Sequence, residues 1–307
     1  MTDLIIRLAA LVALLQLSLV LLGMARTRTP LLVLLSLGHT IARATFPREA
    51  AVSTTMAFVL GLVARAAIML AVALSACTDP ALRPQRLTGE GVTPAVWGAL
   101  EVPKTPGPHP AVLLLHGSAG WRTGYATLAR TYADSGFVAL AIDYYAETGR
   151  RVAPEDGLAA WRTWQATVRQ ATTWLAAHPA VASHRVALVG YSRGAFLAIS
   201  VAGDLPGAAA VVDYYGGGSD GDPPADQLAH YPHTLILHGE ADQDVSVNLA
   251  HRLHDRLTSG GGTVEMHIYP GVGHAFNFPW KATYDSAASA DAWRRTMDFL
   301  RRELGSP

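Results

Sequence analysis

Three short stretches of this 307-residue chain hold side chains that could carry out acyl transfer. The first is Gly190-Tyr191-Ser192-Arg193-Gly194, which follows the apolar run Arg185 to Val189 and opens into Ala195-Phe196-Leu197-Ala198-Ile199. A G-x-S-x-G pentad between a strand and a helix is the setting of a nucleophile elbow. Glycines flank the serine because a sharp, strained turn leaves no room for neighbouring Cβ atoms, and the strain lifts Oγ clear of the sheet. At the helix N-terminus, the dipole and the free backbone N–H groups favour the negative charge that develops when an acyl carbonyl is attacked. The plainer role for Ser192 is that of a helix cap.

A serine hydroxyl is a weak nucleophile until a base takes its proton, and that base must itself be oriented by a carboxylate. Twelve histidines are available. In elbow hydrolases the chain order is nucleophile, acid, base, which removes every histidine before Ser192, His116 included. Of the rest, His238 closes a strand and reads as packing, His251 and His254 fall in an amphipathic helix, and His267 lies inside a strand. His274 is the first choice, in the loop Pro270-Gly271-Val272-Gly273-His274 just past the last strand, where a side chain can lean over the sheet edge. The acid is expected after the strand Thr234 to Leu237, where His238-Gly239-Glu240-Ala241-Asp242-Gln243-Asp244 offers three carboxylates. Asp242, at the centre of the turn, is the first choice. Asp244 and Asp213 are its rivals, although Asp244 also suits the N-cap of a helix from 246. Oxyanion donors are expected from the Arg193 N–H and from the loop His116-Gly117-Ser118-Ala119-Gly120, with the Ser118 N–H the best placed.

These loops need a scaffold that brings strand ends together. Ala111 to Leu115, Phe137 to Ile142, Arg185 to Val189, Ala208 to Val212, Thr234 to Leu237 and Val264 to Tyr269 are apolar on both faces, as suits strands covered by helices on both sides. Helical patterns over 121–135, 155–177, 193–203, 246–259 and 286–303 separate most of them, so an α/β, doubly wound, mostly parallel sheet is expected. Gly216 to Asp226 reads as a loop. Arg193, Trp121, Tyr144, Tyr145, Phe276 and Trp280 sit near strand ends and are candidates for the wall of an acyl pocket.

The chain carries 24 basic and 24 acidic residues, which excludes the clustered positive charge of a nucleic-acid binder. Its single cysteine and the lack of ligand-spaced Cys/His clusters argue against a disulfide framework or a structural metal. Six of the basic residues and two of the acidic ones precede Thr78, so the remainder is mildly acidic, with 18 against 22. Residues 8–23 form an uncharged apolar run, and residues 56–77 pass from Arg65 through a second apolar run to small residues and Cys77. The latter has the build of a secretory signal. The ending Leu74-Ser75-Ala76-Cys77 is similar to a bacterial lipoprotein signal, which implies a lipidated Cys77 and a membrane-anchored catalytic domain in the cell envelope. An uncleaved anchor helix over the same residues is the alternative. Arg26, Arg28, Arg43 and Arg48 should keep the intervening loop cytoplasmic. The expected organisation is therefore a 1–55 extension (a membrane segment or a mis-assigned start), a 56–77 signal or anchor, a 78–110 linker with a first edge strand, and a 111–307 catalytic domain.

The elbow at 190–194, Val211-Val212-Asp213-Tyr214-Tyr215-Gly216, His238-Gly239-Glu240-Ala241-Asp242 and Tyr269-Pro270-Gly271-Val272-Gly273-His274-Ala275-Phe276 together resemble the dienelactone hydrolase family of the α/β-hydrolase superfamily. The resemblance implies an α/β-hydrolase sheet and a monomeric, cofactor-free hydrolase of small esters or lactones, with its triad on Ser192, Asp242 and His274. The founding members carry cysteine at the elbow, so Ser192 implies a Ser-His-Asp general-base route in place of a thiolate. An oligopeptidase-like serine peptidase and a non-catalytic, envelope-anchored binding protein are the competing functions.

Overall fold

The computed structural model describes residues 84–87, 96–150, 153–218 and 223–305. The apolar N-terminal segments and Cys77 lie outside these residues. Among the described residues, no helix is long and apolar enough to cross a membrane.

Eight strands form one sheet: β1 (Gln85–Arg86), β2 (Trp97–Glu101), β3 (His109–Leu115), β4 (Val138–Ile142), β5 (Val181–Tyr191), β6 (Ala208–Tyr214), β7 (His233–Gly239) and β8 (Val264–Tyr269). Their spatial order is β1-β2-β4-β3-β5-β6-β7-β8. The six strands from β4 to β8 run parallel, while β1 and β2 form an antiparallel edge. Four helices connect them, α1 (Thr123–Asp134), α2 (Gly157–Ala176), α3 (Arg193–Ala202) and α4 (Val247–Ser259), and α5 (Ser286–Leu304) follows the last strand. Between β6 and β7, where no helical pattern is legible, the chain makes a short 3-10 turn at Ala225–His230.

Alternating side chains divide the core between the two faces. Leu113, Leu115, Leu188, Val211 and Ile236 pack on one side with Trp164, Val168 and Leu175 of α2 and Leu253 and Leu257 of α4. Val112, Leu114, Val189, Val212 and Leu237 pack on the other with Tyr125 and Tyr132 of α1 and Met297, Phe299 and Leu300 of α5. Every residue of β3 and β4 is buried, which explains their unbroken apolar runs.

The chain order reverses between β3 and β5. At such a switch point the loops leaving two neighbouring strands diverge and open a crevice at the carboxyl edge of the sheet. Pairing of Leu115 with Gly190 brings the loop after β3 level with the turn after β5.

Candidate active site

The turn from β5 into α3 holds Ser192 at φ 54°, ψ −121°. A non-glycine residue there is strained, and it persists only because its surroundings over-determine it. Those surroundings are close contacts that only glycine allows. A Cβ at Gly190 would lie 2.3 Å from Ala195 Cα, and one at Gly194 would lie 2.3 Å from the Leu115 carbonyl oxygen. The two glycines of the pentad therefore press the first turn of α3 against the end of β3, with Ser192 half-buried at the crest. Its N–H donates to the Tyr214 carbonyl, and its own carbonyl accepts from Ala195, so no freedom is left in the bend.

His274 Nε2 lies 3.0 Å from Ser192 Oγ, and His274 Nδ1 lies 2.7 Å from Asp242 Oδ2. Residues 82 positions apart are brought to one point by the return of β8 to the same sheet edge. Asp242 is buried, and its other oxygen accepts the backbone N–H groups of Asp244 (2.9 Å) and Val245 (2.8 Å). Burial alone would push this carboxyl up, but hydrogen bonds from His238, His274 and the Val245 N–H outweigh it and hold the group well below the usual carboxylate range. Asp242 is thus ionised at neutral pH and fixes Nδ1–H of His274 toward itself, leaving Nε2 as the acceptor for a hydroxyl proton. The imidazole is further set by Tyr215, whose ring meets it edge to face at 4.8 Å and whose hydroxyl donates to Asn277 Oδ1 at 2.7 Å.

Neither rival acid reaches the imidazole. Asp244 is exposed at the rim of the cleft, and the cap of α4 is Ser246, whose Oγ accepts the Asn248 N–H. The helix begins one residue later than its sequence pattern indicates, and a two-residue hydroxyl turn takes the cap from Asp244. Asp213 is fully buried at the end of β6, with Oδ1 accepting the Gly216 N–H at 2.7 Å. Burial pushes its carboxyl up to about 6, partly offset by the charge of His238 and by the Gly216 N–H.

His238 does more than pack. It is fully buried, but its Nε2 also donates to the Val245 carbonyl at 2.9 Å and faces Asp242 Oδ2 at 3.4 Å. Burial acts to lower its pKa, and the carboxylates of Asp242 and Asp213 with the Val245 carbonyl overcome this and raise it. The available signal was a histidine and an aspartate ending adjacent apolar strands, where each can be satisfied only by the other or by the site.

The loop after β3 is held by tyrosine hydroxyls. The Gly117 N–H donates to Tyr125 Oη at 3.0 Å, and Tyr144 Oη donates to the His116 carbonyl at 2.7 Å. His116, stacked on Tyr144 at 3.9 Å, lies 3.2 Å from Asp143 and takes no part in the Ser192 chain of contacts. These contacts leave the Ser118 N–H without a protein acceptor among the described residues. Arg193, first in α3, has no intrahelical acceptor for its N–H either. Ser118 and Arg193 both line the cleft beside Ser192.

That cleft encloses about 660 Å³. Of the expected wall residues, Arg193 and Trp280 line it; Trp121, Tyr144, Tyr145 and Phe276 do not. Tyr144 and Tyr145 turn inward onto Trp164, where Tyr145 Oη accepts from Arg193 Nη1 at 2.8 Å, and Phe276 is buried between Tyr215 and Tyr269. The wall is built instead by Tyr125, Trp161, Tyr191, Phe196, Tyr215 and Phe278, with Arg122 and Lys281 at its mouth. Three of these rings, Tyr125, Trp161 and Phe196, sit on faces of α1, α2 and α3 that read as core in the sequence. Among the described residues, no cluster of His, Cys, Asp and Glu could hold a metal ion.

The sequence signature of the "Dienelactone hydrolase family" matches residues 96–304. A Bradyrhizobium protein described as "Probable 2-oxo-3-(5-oxofuran-2-ylidene)propanoate lactonase" is 28% identical over 221 residues, 66% of this chain and 87% of its own length. Among solved structures, a dienelactone hydrolase-like promiscuous phosphotriesterase from metagenomic libraries aligns with a TM-score of 0.61 at 22% identity, over 73% of this chain and 98% of its own. A thermophilic esterase from Thermogutta terrifontis aligns with a TM-score of 0.54 at 18% identity, over 74% and 96% of the two chains. Both structures share the α/β-hydrolase fold.

Proposed function

The chain belongs to the dienelactone hydrolase family, and from that premise we propose that it is a serine hydrolase that cleaves small carboxylic esters or lactones through an acyl-enzyme. The observation that carries this reading is the unbroken hydrogen-bonded line from Asp242 through His274 to Ser192 Oγ, at 2.7 and 3.0 Å, ending on a strained elbow.

His274 Nε2 takes the Ser192 proton as Oγ bonds to the substrate carbonyl carbon. The carbonyl oxygen, now an anion, is met by the Arg193 and Ser118 N–H groups. The tetrahedral species collapses, the bond to the alcohol oxygen breaks, and His274 returns its proton to that oxygen. Water, deprotonated by the same imidazole, then attacks the acyl carbon. A second collapse releases the carboxylic acid and restores the Ser192 hydroxyl. Asp242 stays ionised throughout and stabilises the imidazolium without accepting its proton. His238 is a positioning residue: it faces the same Asp242 oxygen, Oδ2, that holds His274.

Ser192→Ala removes the nucleophile and leaves the oxyanion donors in place. Turnover of p-nitrophenyl acetate is expected to fall by about a thousandfold or more while residual catalysis over water persists. A fluorophosphonate probe should add its mass to the wild-type protein and not to this variant. Unchanged turnover, or labelling at another residue, refutes the reading.

A further inference from the structure

A second cavity, of about 310 Å³, lies directly beyond one wall of the cleft. Tyr191, Phe278 and Trp280 line both spaces, so the partition between them is one layer of aromatic rings. The two differ in chemistry. The cleft presents Arg122, Arg193, Lys281 and Asp244, whereas the second cavity is lined by Leu128, Tyr214, Pro279, Trp293 and uncharged polar groups, with no ionisable acid or base of the Asp, Glu, Lys or Arg type.

The partition is least anchored at Trp280. Its side chain is 55% exposed, stacks on Phe278 at 4.7 Å, and among the described residues makes no hydrogen bond through its indole nitrogen. It rests on the backbone of α1 at Gly124, where a Cβ would come within 2.6 Å of the indole. The backbone beneath it is fixed, because the Lys281 N–H donates to the Phe278 carbonyl across the turn. Among the three shared residues, Trp280 is thus the one that solvent reaches, held by stacking and packing alone. Buried Tyr191 and Phe278, by contrast, cannot leave without opening the core.

We propose that the second cavity is a subsite for an uncharged, apolar chain of the substrate, and that Trp280 decides whether that chain reaches it from Ser192. The occupant follows from the walls: apolar surface without a charge favours alkyl or aryl groups and rejects carboxylates and ammonium groups. This inference rests on the hydrolase reading above. Either the acyl or the alcohol portion of an ester could supply the chain, and two substrate series separate them.

The test compares wild type, Trp280→Ala and the double variant Trp280→Ala/Thr127→Trp, which fills the cavity from the exposed side of α1. For p-nitrophenyl octanoate relative to acetate, kcat/KM is expected to rise by about tenfold in Trp280→Ala and to return to the wild-type ratio in the double variant. The same pattern with octyl acetate relative to ethyl acetate, and not with the acyl series, assigns the cavity to the alcohol side. An unaltered ratio in both series, or a gain that survives the filling substitution, overturns the proposal. Binding of 1-octanol, followed by tryptophan fluorescence, reads the cavity without turnover, and Thr127→Trp alone should weaken it by about fivefold or more. Octanol binding that responds in this way in a protein without esterase activity would retain the subsite and remove the hydrolase reading. Octanol binding indifferent to Thr127→Trp would remove the subsite.

Discussion

The two faces of the sheet are equally buried but differently equipped. On the side of α2 and α4, the contacts are mainly aliphatic, from Leu113, Leu115, Leu140, Ile236, Leu253 and Leu257. On the side of α1 and α5, five tyrosines of the sheet and helices are buried among the aliphatic residues, and their hydroxyls reach defined partners. Tyr125 accepts from Gly117, Tyr132 meets Tyr191, Tyr214 meets Thr296, and Tyr269 donates to Asp291. A leucine can fill space and nothing more. A tyrosine fills space and also fixes a direction. Both faces reach the loop that carries Gly117 and Ser118, the first through Tyr144 and the second through Tyr125, and the aliphatic bulk of the first supplies stability without regard to that loop.

Three substitutions probe that division. The largest effect is expected from Leu253→Ala on the aliphatic face, which should cost about 2–5 kcal/mol in urea unfolding while the folded fraction keeps its kcat. A large fall in kcat would mean that the aliphatic face also tunes the site. The second concerns two ionisable groups at the carboxyl end of this face, since strand alternation puts Asp213 and His238 on the side of Val211 and Ile236. Asp213 titrates at about 6 in the fold against an ordinary value of 3.8, so the folded state holds its proton more tightly. Its contribution is fully present below about pH 4 and is lost as the pH rises through about 6, on the order of 3 kcal/mol. Asp213→Asn keeps the acceptor for Gly216 and should flatten the stability curve across that window in urea melts at pH 4 and pH 7. An unchanged slope rejects the assignment. The smallest effect belongs to Tyr125→Phe, which keeps the ring and removes the acceptor for the Gly117 N–H. Turnover of p-nitrophenyl acetate should fall by about tenfold, with no more than about 1.5 kcal/mol lost in stability. A loss of stability without loss of rate would make that hydroxyl a packing feature only.

What the sequence discloses follows the same division. The parallel strands announce themselves because burial on both faces forces unbroken apolar runs, as in Ala111 to Leu115, and the elbow is legible because only glycine permits contacts as close as those at Gly190 and Gly194. His274 is legible because no other histidine after Ser192 lies in a loop past the last strand. The wall of the cleft is not. Tyr144 and Tyr145 follow a strand end as a pocket residue does, yet the register of β4 turns them onto Trp164, while Tyr125 and Phe196 look like core and face the cleft. Which way a ring points depends on how helices seat on the sheet, and that is a tertiary property without a local pattern. His238 escaped for a related reason: its contact with Asp242 forms only when the chain turns back four residues later.

The ends of the sheet carry one last implication. β1 contributes only Gln85 and Arg86 at one margin, both exposed, and β8 at the other shows Glu265 outward, tied to Arg302 and His233. Beside β1 only Ala99 to Glu101 of β2 stay open at that margin among the described residues, a short run for an incoming strand to zip onto, and at the other margin such a strand must strip water from the ion pairs of Glu265 first. Copies of this domain crowded side by side should therefore slide past one another rather than knit into fibrils.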